Sequence, residues 1–303
     1  MTRDPVAAAV AACAASLRAP EAEAIGRALT ARGIDAAKLY AMVERVTEDP
    51  ASQSALGALK TALVSVTGDE RDAFERFVIE TATVNRPPET KTVSEGVTRL
   101  IAASLDRVAT RSSTPRLSIG SSRFVTLCKI VTGRRFPAGQ FDWEISGVPR
   151  SALLRVPRSR LPSVLAFVAF HMGGVGPVMF SHLSPFRTNK ALDEAEANRS
   201  YARMARTLER QPHVKGFAAW SWFRSPGTHA VSPHLAWLSR VFLEHGGFVS
   251  EAGPDDPAHG ALHRSATRRR LYEQGEYVPT KGLVMWPRRA MIEWARSRPE
   301  LHD

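Results

Sequence analysis

The chain has 303 residues, 44% of them apolar, and a formal net charge of +11. That length supplies one large or two ordinary domains with a real core. Two cysteines far apart, Cys13 and Cys128, exclude a disulfide framework or a cysteine zinc site. The charge is unevenly spread. Residues 1–110 hold 13 Lys/Arg against 15 Asp/Glu, and the remainder holds 28 against 15. The basic excess therefore belongs wholly to the later part, where it favours an anionic partner such as a phosphorylated donor or a nucleic acid.

The Ala-rich start, "MTRDPVAAAVAACAASLRAPEAEA", is interrupted by Asp4 and Pro5 and is too weakly apolar for a signal core. No stretch is long and apolar enough to span a bilayer. The two cysteines without partners make a reducing cytoplasm the expected location. Residues 1–110 then read as a helical region. In "DAAKLYAMVERVTEDP" the residues Leu39, Tyr40, Met42, Val43 and Val46 form an apolar stripe, and "DERDAFERFVIETATV" places Phe74, Phe77 and Val78 on one face. "TVSEGVTRLIAASLDRVA" repeats the pattern with Val97, Leu100, Ile101 and Leu105. "TRSSTPR" (Thr110 to Arg116) is the predicted linker to a second domain over 117–303.

Beyond it the texture becomes that of an α/β (α+β) domain with a mixed sheet. "RLSIGSSRFVTLCKIVTG" predicts a short strand followed by a second apolar run, and "SALLRVP" reads as a strand-like piece. "SVLAFVAFHMGGVGPVMFSHL" predicts a hairpin turning at Gly173-Gly174, whose glycines suit a positive φ. "TNKALDEAEANRSYARMARTLERQP" predicts a helix capped by Thr188 or Asn189, with Tyr201, Met204, Ala205 and Leu208 on its buried face. "VKGFAAWSWF" is a strand. Ser232 then reads as the N-cap of a helix with Pro233 at its first position, and Gly246-Gly247 stops that helix. "FVSEAGP" and "TKGLVMWP" predict strands; "SATRRRLYEQGEY" and "RRAMIEWARS" predict helices.

The order from Ser163 (hairpin, helix, strand, helix ending in Gly-Gly-Phe, strand, late strand) resembles the second half of the GNAT family of N-acyltransferases, and "SRVFLEHGGFV" looks like that family's helix-to-strand segment. The resemblance implies a GNAT-like fold over about 117–287 and acyl transfer. The chain departs from the family in two places. The turn "SHLSPFRTNKALDEA" lacks the glycines of the pyrophosphate loop, and Phe242 stands where the family usually has a tyrosine.

The residues after the Trp220–Phe223 strand are the predicted site. His229 lies where acid–base work is done, and Glu144, which shares a strand face with Asp142 in "FDWEIS", is the alternative base. Trp220, Trp222, Arg224 and Ser232 are the expected substrate contacts, with backbone N–H groups after Phe223 holding a carbonyl oxygen. Arg268, Arg269 and Tyr277 are the expected donor contacts. "HGALH" spaces His259 and His263 four apart, but Pro257 and Gly260 argue for a loop, and no metal is expected. The function expected is a transferase, moving an acyl or aminoacyl group from a phosphorylated donor (acyl-CoA or aminoacyl-tRNA) to an amine. The alternative is a non-enzymatic RNA-binding protein that uses the basic C-terminal domain with its interleaved aromatics.

Overall fold

The structure, a computed structural model, describes residues 5–48, 53–64, 66, 69–86, 93–112, 119, 121–148, 150–186, 191–258, 260–263 and 265–301. The chain divides into two compact units: Met1–Lys91 with Glu95–Pro137, and Thr92–Ser94 with Ala138–Asp303. Residues 113–116 of the expected linker lie outside the described residues, and Thr110–Ser112 belong to a helix. No helix among the described residues is long and apolar enough to cross a membrane.

The first unit is helical: α1 (Pro5–Leu17), α2 (Ala22–Thr30), α3 (Ala36–Glu48), α4 (Gln53–Val64), α5 (Asp69–Val84), α6 (Glu95–Ser112) and α7 (Ser122–Val131), then the two-residue strand β1 (Phe136–Pro137). α1 packs along α5 and α6. Val97, Ile101, Leu105 and Val108 recur every three or four residues on α6 and are buried, as are Phe74, Val78, Ile79 and Ala82 on α5. The short strand expected ahead of the apolar run at 122–131 lies outside the described residues, which there include only Ile119 and Ser121. Ser121 Oγ accepts from the Phe124 N–H at 3.1 Å and caps α7, whose Phe124, Leu127, Cys128 and Val131 bury one helical face. The i, i+3, i+4, i+7 spacing outweighs the β-branched content.

The second unit is a mixed sheet with helices on both faces. It runs β2 (Phe141–Gly147), α8 (Arg150–Leu154), α9 (Leu161–Ala166), β3 (Pro177–Leu183), α10 (Glu194–Glu209), β4 (Gly216–Ser221), α11 (Pro226–Val231), α12 (Trp237–Glu244), β5 (Phe248–Pro254), α13 (Ala266–Glu273), β6 (Thr280–Pro287) and α14 (Arg288–Arg296). Within the unit the strand order is β2-β3-β4-β6-β5. β2 pairs antiparallel with β3 along its whole length, from Phe141↔Leu183 to Gly147↔Pro177, and β4 does so with β6, from Gly216↔Pro287 to Ser221↔Gly282. β3 and β4 are parallel and pair only from Met179↔Phe217 to Ser181↔Ala219. α10 makes the crossover that a parallel pair requires. Tyr201, Phe217, Phe242, Trp286 and Trp294 pack ring against ring on one face. The other face is covered by Ala152 of α8, Val164 of α9, and Val168 and Met172 beyond it, packed on Val178, Ala218, Leu283 and Met285.

The hairpin expected over Ser163–Leu183 is replaced by α9, a π turn at Phe167–His171, and β3 alone. Val164, Val168 and Met172 are buried at a spacing of four while Phe170 is exposed, which is helical and not strand periodicity. Gly173 and Gly174 do take positive φ (71° and 94°), but at the helix exit, where the Gly174 N–H reaches the Val168 carbonyl at 2.9 Å. "SALLRVP" likewise forms α8 rather than a strand. α10 is capped by Asp193, whose Oδ1 accepts from the Glu196 N–H at 2.8 Å; Asn189 and Thr188 lie outside the described residues. Arg288 closes the other end of α10 by donating to the carbonyls of Leu208 and Gln211.

Glu75 of α5 is half-buried, and burial pushes its carboxyl up to about 7, against a backbone hydrogen bond at Ile119. Its folded pKa lies above its ordinary value of 4.5, so its contribution to stability is full below pH 4.5 and is lost as the pH rises through about 7. Glu75→Gln is therefore expected to raise the melting temperature at pH 8 and leave it unchanged at pH 4.5, measured by calorimetry. An equal shift at both pH values would contradict this account.

Candidate functional site

β4 leaves the sheet through a tight turn. Trp222–Arg224 form a single 3-10 turn, Ser225 is extended, and Pro226 opens α11. Arg224 is 1% exposed. Its guanidinium lies 5.1–5.9 Å from the ring centroids of Phe141, Tyr201, Phe217, Phe223 and Phe242. Nη2 donates to the Tyr201 hydroxyl at 3.1 Å, and Nε and Nη1 have no hydrogen-bond partner. The side chain expected to meet a substrate thus faces the aromatic core and not a cleft. A Cβ on Gly282 of β6 would overlap the Arg224 carbonyl, which explains the glycine at that close approach.

Trp222, Ser232, Arg268 and Tyr277 come together beside this turn. Arg268 is 4% exposed; its guanidinium stacks 4.8 Å from the Trp222 ring, Nε donates to the Ala261 carbonyl, and Nη1 donates to Ser232 Oγ at 2.9 Å. Burial pulls the Arg268 pKa down. Ser232 precedes a 3-10 turn (Pro233–Leu235), and its side chain does not cap it; the hydroxyl is taken by Arg268, and α12 begins only at Trp237. The Tyr277 hydroxyl meets Thr228 Oγ1 at 2.8 Å, and burial raises its pKa. Ala261, Leu262 and Tyr277 form a small core against which Trp222, Val231 and Leu271 pack.

His229 sits on α11, half-buried, with Nε2 at 2.9 Å from the Phe223 carbonyl. A carbonyl only accepts, so Nε2 carries the proton and Nδ1 the lone pair of the neutral ring. Burial, and secondarily Arg224, holds its pKa below the usual value. The Ser225 N–H, one of the donors expected to hold a carbonyl oxygen, is used on the Trp222 carbonyl at 3.1 Å.

Glu144 occupies a different part of the sheet. It lies on β2 opposite Phe180, and its Oε1 is 3.1 Å from Nε2 of His182, two residues further along β3 and opposite Asp142. The edge of Phe180 packs on the His182 ring, with centroids 5.1 Å apart. Both side chains are partly accessible, 29% for His182 and 16% for Glu144. His182 was not among the sequence candidates. Its alternation with Phe180 on β3 is visible in the sequence, but its partner comes from a strand 38 residues earlier. Trp220, on β4, donates from Nε1 to the Ala252 carbonyl, with Lys281 Nζ 4.7 Å and the Arg155 guanidinium 5.7 Å from its ring. Arg269 is exposed and lines a hollow of about 590 Å³ with His263, Tyr272 and Glu273. His259 lies outside the described residues.

No known protein family matches the chain, and no curated protein does. Among solved structures the chain is similar to an acyltransferase in complex with decanoyl-CoA, at 14% identity over 82% of this chain and 76% of that one, with a TM-score of 0.46. It is similar to an acyltransferase in complex with CoA and 10C-teicoplanin at 12% identity, with the same coverage and TM-score. A mutant acyltransferase in complex with octanoyl-CoA matches at 12% identity over 90% of this chain and 86% of that one, with a TM-score of 0.46.

Because the pKa of His229 is lowered in the fold, protonation opposes folding. The stability this neutral ring contributes is full above its ordinary value of 6.5 and is lost as the pH falls through the lower folded-state value. His229→Gln keeps an N–H for the Phe223 carbonyl but does not titrate. Its melting temperature is expected to fall less than that of the wild type between pH 7 and pH 5. Parallel falls would show that His229 is not the titrating group.

Proposed function

We propose that the second unit transfers an acyl or aminoacyl group from a phosphorylated donor, of the CoA-thioester or aminoacyl-tRNA kind, to an amine. The observation that carries this reading is the short parallel pair. β3 and β4 stop pairing at Ser181 and Ala219, yet both continue, to Leu183 and Ser221, and both stay paired to their outer neighbours. An opening in the middle of a continuous sheet gives an extended, amide-bearing donor two strand edges to lie between. The element order that resembles the GNAT family supports the same reading, with α9 in place of the first hairpin strand.

The chemistry needs a base for the attacking nitrogen. Glu144 and His182 stand on β2 and β3, and His182 is one residue past the last β3–β4 pair. The contact of Nε2 with Glu144 orients the His182 ring as an acid–base group. As the C–N bond forms, the proton on nitrogen passes to the imidazole, and Glu144 stabilises the cation. The C–S or C–O bond to the donor then breaks, and the proton returns to the leaving group. Trp220, flanked by Lys281 and Arg155, offers an apolar surface beside two cations for the donor. His229, with its own lone pair at Nδ1, is the alternative base. The alternative function, a non-enzymatic RNA-binding role, loses part of its basic face among the described residues. Arg224 and Arg268 are buried, and Arg203, Arg210 and Arg288 donate to backbone carbonyls.

A panel of acyl-CoA thioesters from acetyl to decanoyl, with simple primary amines as acceptors, tests the proposal by thiol release. The wild type is expected to turn over at least one pair. Glu144→Gln is expected to lower kcat by about 10²–10⁴ with little change in KM. Transfer that survives Glu144→Gln but is lost in His229→Gln would move the base to α11. Failure of the wild type to retain any CoA thioester or aminoacyl-tRNA on equilibrium dialysis would overturn the proposal.

A further inference from the structure

The first unit contains a groove of about 780 Å³, bounded by the α1–α2 connection, the start of α3 and the last turns of α5. Its walls are mostly apolar: Pro20, Phe77 and the 59%-exposed Val84 face it. Glu80 lines it and is 7% exposed. One carboxylate oxygen, Oε1, accepts from Arg18 Nε at 3.2 Å; the other, Oε2, is buried and has no partner. Arg18 is a loose counter-ion, since its side chain is 75% exposed. At the groove's end the Asn85 amide nitrogen is used on the Thr81 carbonyl at 2.8 Å, which leaves the amide oxygen as a second acceptor.

A buried carboxylate with half of its hydrogen-bonding capacity unused is costly for a fold to keep. A helix surface needs no such group, and the helix it stands on is already packed by Phe74, Val78 and Ile79. The groove's polar lining is the carboxylates of Glu80 and Glu23, the Asn85 amide oxygen and the Thr81 hydroxyl, with Arg18 as the cation among them, set in apolar walls. That pattern complements a compact cation with several N–H donors on an apolar body. We propose that this groove binds a primary ammonium group carried on a short aryl or alkyl chain. The ammonium would sit against the Glu80 carboxylate, taking the place of Arg18 at Oε1, and the apolar body would lie along Phe77, Pro20 and Val84. The site is independent of the acyl-transfer reading, because every residue in it belongs to the helical unit and binding needs no chemistry.

The test is isothermal titration of the full chain with phenethylammonium, phenethyl alcohol and phenylacetate. Saturable binding of the ammonium only is expected, about tenfold or more tighter than either control. Glu80→Gln should abolish that preference while its circular dichroism stays that of the wild type. Arg18→Ala, which removes the competing cation, should bind as well as the wild type or better. Equal binding of the alcohol, or no binding of the ammonium to the wild type, would overturn the proposal whatever the variants do. Loss of binding in Arg18→Ala with Glu80→Gln unaffected would mean an anion site and would overturn it too.

Discussion

A single guanidinium, buried among five aromatic rings with one hydroxyl for a partner, fixes the centre of the second unit. The rings around Arg224 come from β2 (Phe141), α10 (Tyr201), β4 (Phe217), the turn itself (Phe223) and α12 (Phe242). Taking an ion out of water costs several kcal/mol even after relaxation. A desolvated cation over a ring face recovers about 2 kcal/mol per good contact, and the Tyr201 hydroxyl adds a charge-assisted bond. The compensation exists only when all five elements are in place, so the arginine couples them. It also dictates that β4 turns where it does, with Gly282 of β6 giving the Arg224 carbonyl room.

The arrangement around the candidate site follows from that turn. Trp222 is carried to the far side, where Arg268 stacks on it and reaches Ser232. α11 starts at Pro226 and brings Thr228 to Tyr277 and His229 back to the Phe223 carbonyl. Two guanidiniums thus stand inside the unit, each on aromatic surface and each anchoring a neighbouring element. The basic excess of the second half is therefore partly structural. An arginine that donates to a helix's last carbonyls, as Arg288 does on α10, contributes to the net charge without offering a binding face.

Much of the architecture was legible in local patterns. The strands at Phe248–Pro254 and Thr280–Pro287 and the helix at Arg288–Arg296 were expected almost to the residue, because period and punctuation agree there. The stretch from Ser163 to His171 was not, since a short apolar run with β-branched residues carries both periods and only its packing decides between them. At the site the sequence showed residue type but not direction. Arg224, Ser232 and Arg268 are polar residues near a strand end, which is how a cleft reads; in the fold they bond to Tyr201, to each other and to Ala261. The contacts that matter most, Glu144 with His182 and Thr228 with Tyr277, join residues 38 and 49 positions apart. Pairing register and helix docking create them, and no local spacing encodes them.

The buried guanidinium is open to direct observation. In a ¹⁵N–¹H spectrum of the whole chain, the Nε–H of Arg224, identified by its absence in Arg224→Lys, has no acceptor and faces ring planes. It is predicted to resonate upfield of the exposed arginines through ring currents and to exchange slowly with solvent. An Nε–H at the exposed position that exchanges as fast as theirs would show that Arg224 is not caged, and the account of how β4 turns into the site would fail with it.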